Sequence, residues 1–217
     1  NNILIIGGSG FIGYHLAKRC LIKGWKVYSI SSKPPSKKKY LRKVKYIIAD
    51  ISKIKILKKK IKRNFTYIVN LGGYVDHNNK IKTYQTHYIG LKNIINIFKK
   101  NMPVKFVQIG TSSEYGIKKS PHKENLNCSP KSVYGKSKLL STKYLLKMCK
   151  QKNFPGVILR LYQAYGPNQD LNRFISENIT SRAQSMFEFD INQNKLLLSD
   201  KIDDKTILVI GGAGTIG

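Results

Sequence analysis

Two side chains in this sequence have the types and spacing to move a proton together. Tyr134 and Lys138 stand four residues apart in the run YGKSK, which puts a phenol and an ammonium on one face of a helix. A cation beside a phenol favours the phenolate and brings the tyrosine toward the range where it acts as general acid or base. The pattern Y-x-x-x-K arises often by chance in a lysine-rich chain, and a solvated helical pair would carry the same letters. The preceding run IGTSSEYG, residues 109–116, adds context. It offers the hydroxyls of Thr111 and Ser112 at the C-terminal end of an expected strand, where ligands sit in open α/β sheets. Both hydroxyls also fit plain turn residues.

A third group of residues is built to approach phosphate. Asn2–Gly13 reads NILIIGGSGFIG, an apolar strand running into Gly7, Gly10 and Gly13. Glycines at this spacing permit a tight turn and close backbone approach, and the helix they open offers unpaired N–H groups to a dinucleotide pyrophosphate. Thr206–Gly217, TILVIGGAGTIG, repeats the pattern with Gly211, Gly214 and Gly217 as the chain stops. The start with Asn and the second motif cut at its last glycine read as the ends of a fragment.

The elements that must position these groups alternate in period. Strands are expected at Asn2–Ile6, Trp25–Ile30, Val44–Ala49, Phe65–Leu71, Val104–Ile109 and Gly156–Leu161. Helices are expected at Phe11–Lys23, Ile51–Arg63, Lys80–Lys100 and Ser132–Lys152, with Ser31–Lys39 a basic surface loop. Short strands alternating with helices give an α/β fold with a doubly wound parallel sheet, the Rossmann arrangement. Residues 1–175 form the dinucleotide-binding domain in this reading. Residues 176–205, polar and without glycine, are a linker, and 206–217 start a second Rossmann unit that the chain does not complete.

At 217 residues the chain can bury one good core. The net charge of +29 invites a nucleic-acid reading. Only six of the 40 cations are arginines, although Arg is preferred for bidentate phosphate and base recognition. The lysines are spread through most segments beside abundant Ile and Asn, residues that A/T-rich codons specify, so no specific nucleic-acid partner is expected. No stretch approaches the ~20 apolar residues of a membrane span. Cys20, Cys128 and Cys149 lack metal-ligand spacing and fit a reducing cytoplasm. His15, His77, His87 and His122 form no metal-like cluster and read as structural, and no metal site is expected. Glu114 and Glu124 read as surface or turn carboxylates.

Taken in order, GGSGFIG, Asp50 after the third strand, NLGG, GTSSEYG, YGKSK and LRLYQAYGP resemble the extended short-chain dehydrogenase/reductase family, which includes nucleotide-sugar epimerases, 4,6-dehydratases and 4-ketoreductases. The resemblance covers residues 2–175. It implies that Gly7, Ser9, Gly10, Phe11, Ile12 and Gly13 cradle the pyrophosphate of NAD or NADP. It implies that Asp50 and Ile51 bracket the adenine, and that Leu71, Gly72 and Gly73 line the path to the nicotinamide ribose. Tyr134 would exchange a proton with a sugar hydroxyl, while Lys138 would hold the ribose and tune Tyr134. Thr111, with Ser112 as fallback, would hydrogen-bond the same sugar oxygen. Tyr162, Gln163 and Ala164 would border the nicotinamide and substrate. A homodimer is compatible with the resemblance. From the residues alone, Asp50 fits a strand-end cap equally well.

Three departures shape the expected function. Ser31, Ser32 and Lys33 stand where NAD sites place an acid for the ribose 2′-hydroxyl, which leaves both NAD and NADP open. The 4,6-dehydratases carry a carboxylate pair directly after the catalytic Thr. Here Ser112 and Ser113 occupy those places, which favours a 4-epimerase or 4-ketoreductase acting on a nucleoside-diphosphate sugar, with the dehydratase as second alternative. The substrate portion that follows LRLYQAYGP in the family is largely missing, and the segment from about Arg182 onward resembles the lead-in of polysaccharide-biosynthesis dehydratases. A non-catalytic dinucleotide-binding module is therefore the rival reading.

Overall fold

The computed structural model describes residues 1–74, 76, 78–162, 164–166 and 169. Strand β1 (Asn2–Ile6) shows why the sheet must be covered twice. Leu4 and Ile6 belong to one buried cluster, and Ile3 and Ile5 to another, so alternate side chains point to opposite faces and both are dry. That is the signature of a parallel sheet sandwiched between helices. β2 (Lys26–Ser31), β3 (Lys45–Ile48), β4 (Tyr67–Asn70), β5 (Lys105–Thr111) and β6 (Gly156–Leu161) complete it. Every pairing is parallel, in the order β3-β2-β1-β4-β5-β6. The direction of strand succession reverses between β1 and β4, which creates the crevice where doubly wound sheets bind dinucleotides.

Helix α1 (Phe11–Ile22) supplies Ala17 and Cys20 to the Ile3–Ile5 face. Helices α2 (Ile54–Lys60), α4 (Gly90–Phe98) and α5 (Val133–Lys152) supply Leu57, Leu91, Ile94, Ile95, Phe98 and Leu145 to the other. Burying a Leu, Ile or Phe side chain contributes about 1.5–3 kcal/mol, so these faces hold the crevice walls in place. Residues Asn1–Leu161 form one compact unit, and Tyr162 begins a second. The expectations for Gln163, the linker at 176–205 and the second glycine strand at 206–217 lie outside the described residues.

The elements fall where the periodicity places them, with four local differences. The second helix starts later than expected because Ser52 N–H donates to Asp50 Oδ1 (2.8 Å) in a tight turn that sends Ile51 into the core. The basic loop contains a 3₁₀ turn, Lys37–Lys39, whose last residue is buried. The helix expected over Lys80–Lys100 is α3 (Lys80–Tyr84), a π turn (Gln85–Ile89) and α4. β5 runs on to Thr111, so the sheet delivers that hydroxyl at its own end.

Candidate active site

The three glycines of the turn expected to cradle phosphate differ in what surrounds them. Gly7 has φ +80° and lies so close to the chain after β4 that a Cβ there would stand 2.9 Å from the Leu71 carbonyl oxygen. A Cβ on Gly13 would stand 2.3 Å from the Gly7 carbonyl oxygen and 2.6 Å from Gly8 Cα, so only glycine lets α1 sit on the turn. Gly10 is different. It is exposed, and its Cβ would meet nothing closer than the Gly7 carbonyl oxygen at 3.3 Å. Among the described residues, nothing else beyond its chain neighbours comes within 4 Å of that position. Gly10 is also the N-cap of α1 and makes no side-chain cap hydrogen bond, so the first-turn N–H groups of Phe11, Ile12 and Gly13 point out of the helix end, where an anion is favoured. The turn is pinned from β2: Gly7 N–H donates to the Ile30 carbonyl (2.7 Å) and Ser9 N–H to Ser31 Oγ (3.3 Å).

Of the pair expected to bracket the adenine, Asp50 is exposed and its carboxylate caps the following turn, while Ile51 is only 6% exposed and belongs to the core. Leu71 N–H continues the β1 ladder to the Ile6 carbonyl (2.9 Å). Gly72 N–H is held by Asn70 Oδ1 (3.0 Å), and Asn70 Nδ2 donates to Gln108 Oε1 (2.7 Å). This buried amide pair ties the end of β4 to the middle of β5. Gly73 is exposed beyond them.

The residues expected to handle the proton lie at the C-terminal end of β5 and in the first two turns of α5. Ser132 caps α5, its Oγ accepting from Gly135 N–H (3.0 Å), which fixes Tyr134 in the first turn. Gly135 lets that turn press against the 112–114 turn, since a Cβ there would lie 2.8 Å from the Ser113 carbonyl oxygen. Tyr134 is half-buried and lines a cleft of about 540 Å³ with Asn78, Lys80, Ser113, Ser132 and Val133. Lys138 lies one turn deeper, 5% exposed, with Nζ donating to the Ile109 carbonyl (2.9 Å) and 5.9 Å from the Tyr134 ring centre. Burial pushes its pKa down to about 8, against an opposing attraction from Glu114. Thr111 is buried at 8% exposure. Its Oγ1 accepts from Ser113 N–H (3.3 Å), which leaves its hydroxyl proton to donate elsewhere. Ser112 is half-buried, and Ser113 rather than Ser112 faces the cleft. Tyr162 follows β6 and is 55% exposed.

With this geometry, the comparisons with known proteins are direct. The model of the NAD dependent epimerase/dehydratase family matches residues 3–200. The chain belongs to that family. It is 26% identical over 170 residues to dTDP-6-deoxy-L-talose 4-dehydrogenase (NAD(P)(+)) of Kitasatospora kifunensis, covering 77% of this chain and 54% of the relative. A dTDP-glucose 4,6-dehydratase from Bacillus anthracis, solved with NAD, superposes with a TM-score of 0.73 at 26% identity, over 83% of this chain and 60% of that one. A UDP-glucuronic acid 4-epimerase from Bacillus cereus, also solved with NAD, gives 0.72 at 25% identity, over 83% and 62%. The chain thus spans little more than half the length of these epimerase/dehydratase relatives.

The full burial of Glu114 and the π turn around His87 were not read from the sequence. Glu114, expected as a surface or turn carboxylate, lies in the turn Ser112–Glu114 but is 0% exposed: Oε1 accepts from Thr111 N–H (2.9 Å), and Oε2 accepts from Thr142 Oγ1 (2.8 Å) and from Arg160 Nε (3.1 Å). Only a partner 46 residues away makes that burial tolerable, and no local pattern announces it. His87, expected to be structural, is buried in the π turn with its ring edge-to-face on Tyr134 at 5.1 Å. Helical periodicity of 3.6 cannot register the extra residue of a π turn.

Proposed function

We propose that this chain is the dinucleotide-binding half of an enzyme that oxidises or reduces C4 of a nucleoside-diphosphate sugar with NAD or NADP, as a 4-epimerase or a 4-ketoreductase. The observation that carries this reading is the pairing of an open cradle at Gly10 with a cleft lined by Tyr134, behind which Lys138 is buried one helical turn away. A bound nicotinamide dinucleotide supplies hydride transfer to and from the sugar carbon. The chain's own residues supply position and the proton. The Lys138 ammonium lowers the cost of a phenolate at Tyr134, whose Oη accepts the proton of the sugar hydroxyl as the carbonyl forms and returns it on reduction. Thr111 donates its hydroxyl proton to the same sugar oxygen, and Asn78, Lys80 and Ser113 offer polar groups along the cleft wall.

Reduction or epimerisation is favoured over dehydration by the turn after Thr111. Elimination of water needs a further acid and base beside the sugar. Ser112 and Ser113 cannot serve, and Glu114 is committed to Arg160, Thr142 and the Thr111 N–H. The test is Tyr134→Phe. Turnover of UDP- and dTDP-linked hexoses or 4-ketohexoses is expected to fall by about 10²–10⁴-fold, with dinucleotide affinity within a few-fold of the parent. Turnover that survives the loss of the phenol would rule out this assignment. The rival, a non-catalytic dinucleotide-binding module, draws its support from the short span of the chain relative to its relatives, and predicts binding without turnover in the parent.

A further inference from the structure

Glu114 stands at a junction of three elements that carry the site. Its carboxylate is fully buried between the end of β5, the middle of α5 and strand β6, reached by Thr111 N–H, Thr142 Oγ1 and Arg160 Nε. The fold makes room for it: a Cβ on Gly110 would lie 2.6 Å from Glu114 Oε1. Arg160 is held in turn by Tyr115 Oη and the Glu124 carbonyl, each at 3.1 Å, and its guanidinium stacks over the Tyr115 ring at 4.7 Å. Burial works against the Arg160 charge, but the hydrogen bonds to Tyr115 and Glu114 and the attraction of the carboxylate outweigh it. Turn geometry alone does not call for this arrangement. A capping box needs an acceptor for the Thr111 N–H, which a surface carboxylate would satisfy without a guanidinium partner and without a glycine beneath it.

We propose that Glu114 is a positioning residue for two catalytic groups at once: its carboxylate fixes the turn that presents Thr111, and its negative charge balances the Lys138 ammonium inside the fold. The proposal rests on the reading of Thr111 and Lys138 given above. The reasoning for Thr111 is geometric. Its backbone N–H is bound by Glu114 Oε1 while its Oγ1 accepts from Ser113 N–H, which sets the hydroxyl's direction. The reasoning for Lys138 joins geometry to charge: its Nζ donates to the carbonyl of Ile109, the residue before Gly110, and a Cβ on Gly110 would lie 2.6 Å from Glu114 Oε1. A nearly fully buried ammonium tends to lose its proton, and an opposite charge nearby resists that loss. Among the described residues, the charged and titratable groups around this site include Tyr134 on the same helix, Lys80 in the cleft that Tyr134 lines, His87 on the Tyr134 ring, Glu114 and Tyr115 from the turn after β5, and Arg160 from β6. Of these, Glu114 is the one whose charge favours the ammonium.

The test is the titration of Lys138 in the full chain, followed by NMR of labelled lysine side chains and assigned with Lys138→Arg. Glu114→Gln keeps an acceptor for the Thr111 N–H but removes the charge. The Lys138 midpoint, about 8 in the parent, is expected to fall by about one unit or more, and to recover in Glu114→Asp. The double variant Glu114→Gln, Arg160→Gln, which leaves no unpaired charge buried, decides the matter should Glu114→Gln lose its cooperative melt, and the Lys138 midpoint is expected to fall in it too. An unchanged or raised Lys138 midpoint in the variant that keeps its cooperative melt would overturn the proposal. In turnover, Glu114→Gln is expected to lower kcat about tenfold or more while leaving KM for the sugar nucleotide nearly unchanged. A parent with no turnover would count against the proposed function alone, since the titration needs no substrate.

Discussion

In the proposed function Lys138 concentrates the chemistry of the site in one side chain, and its burial has a measurable consequence. The unfolded chain holds the Lys138 proton up to about pH 10.5, while the folded chain releases it near 8. Below pH 8 both states are protonated, and the fold carries the desolvation cost of the ammonium. Between 8 and 10.5 the unfolded state binds more protons, so stability rises with pH. Against Lys138→Met, which cannot titrate, the parent is expected to gain on the order of 3 kcal/mol across that window. Denaturant unfolding of both proteins at several pH values checks this, and parallel pH dependences would contradict it. The same residue shows what a sequence can disclose. The spacing of Tyr134 and Lys138 is written in four letters, because a helix converts it directly into a shared face. Glu114 and His87 were not legible, since their roles arise from contacts across the sheet and from a π turn.

At the scale of elements, the strands and the glycine turn were readable because each is dictated locally. β1 is apolar at every position that must be buried on one of two faces, and Gly7, Gly10 and Gly13 stand where backbone meets backbone or ligand. The three glycines are not equivalent, and the structure separates them. Gly13→Ala drives a Cβ into the backbone of Gly7 and Gly8. Moving two backbone segments apart is expected to cost about 3 kcal/mol, the upper range for a single substitution, and to lower the thermal midpoint by several degrees. An alanine at Gly13 that melts with the parent would show that the turn is looser than described. Less legible were the element ends. The second helix loses its first turn because Asp50 hydrogen-bonds Ser52 N–H, and β5 gains two residues because β6 pairs with it through Thr111. Both are settled by tertiary partners that propensity does not see.

For the whole molecule, the charge of +29 and the doubly wound sheet point in different directions, and the sheet is the stronger guide. Charge says that the surface attracts anions of many kinds. The proposed function narrows this to one kind, a dinucleotide laid across the crevice between β1 and β4. Residues 3–200 match one family model, and the described unit Asn1–Leu161 contains the glycine turn, Tyr134 and Lys138 together. The central claim is therefore that this chain binds a nicotinamide dinucleotide at Gly10. The most direct measurement is titration calorimetry of the chain with NAD and with NADP, beside a Gly10→Val variant shown to melt cooperatively. Saturable binding of at least one dinucleotide by the parent, lost in Gly10→Val, is the expected result. No binding of either by the parent, or equal binding by the variant, would contradict it.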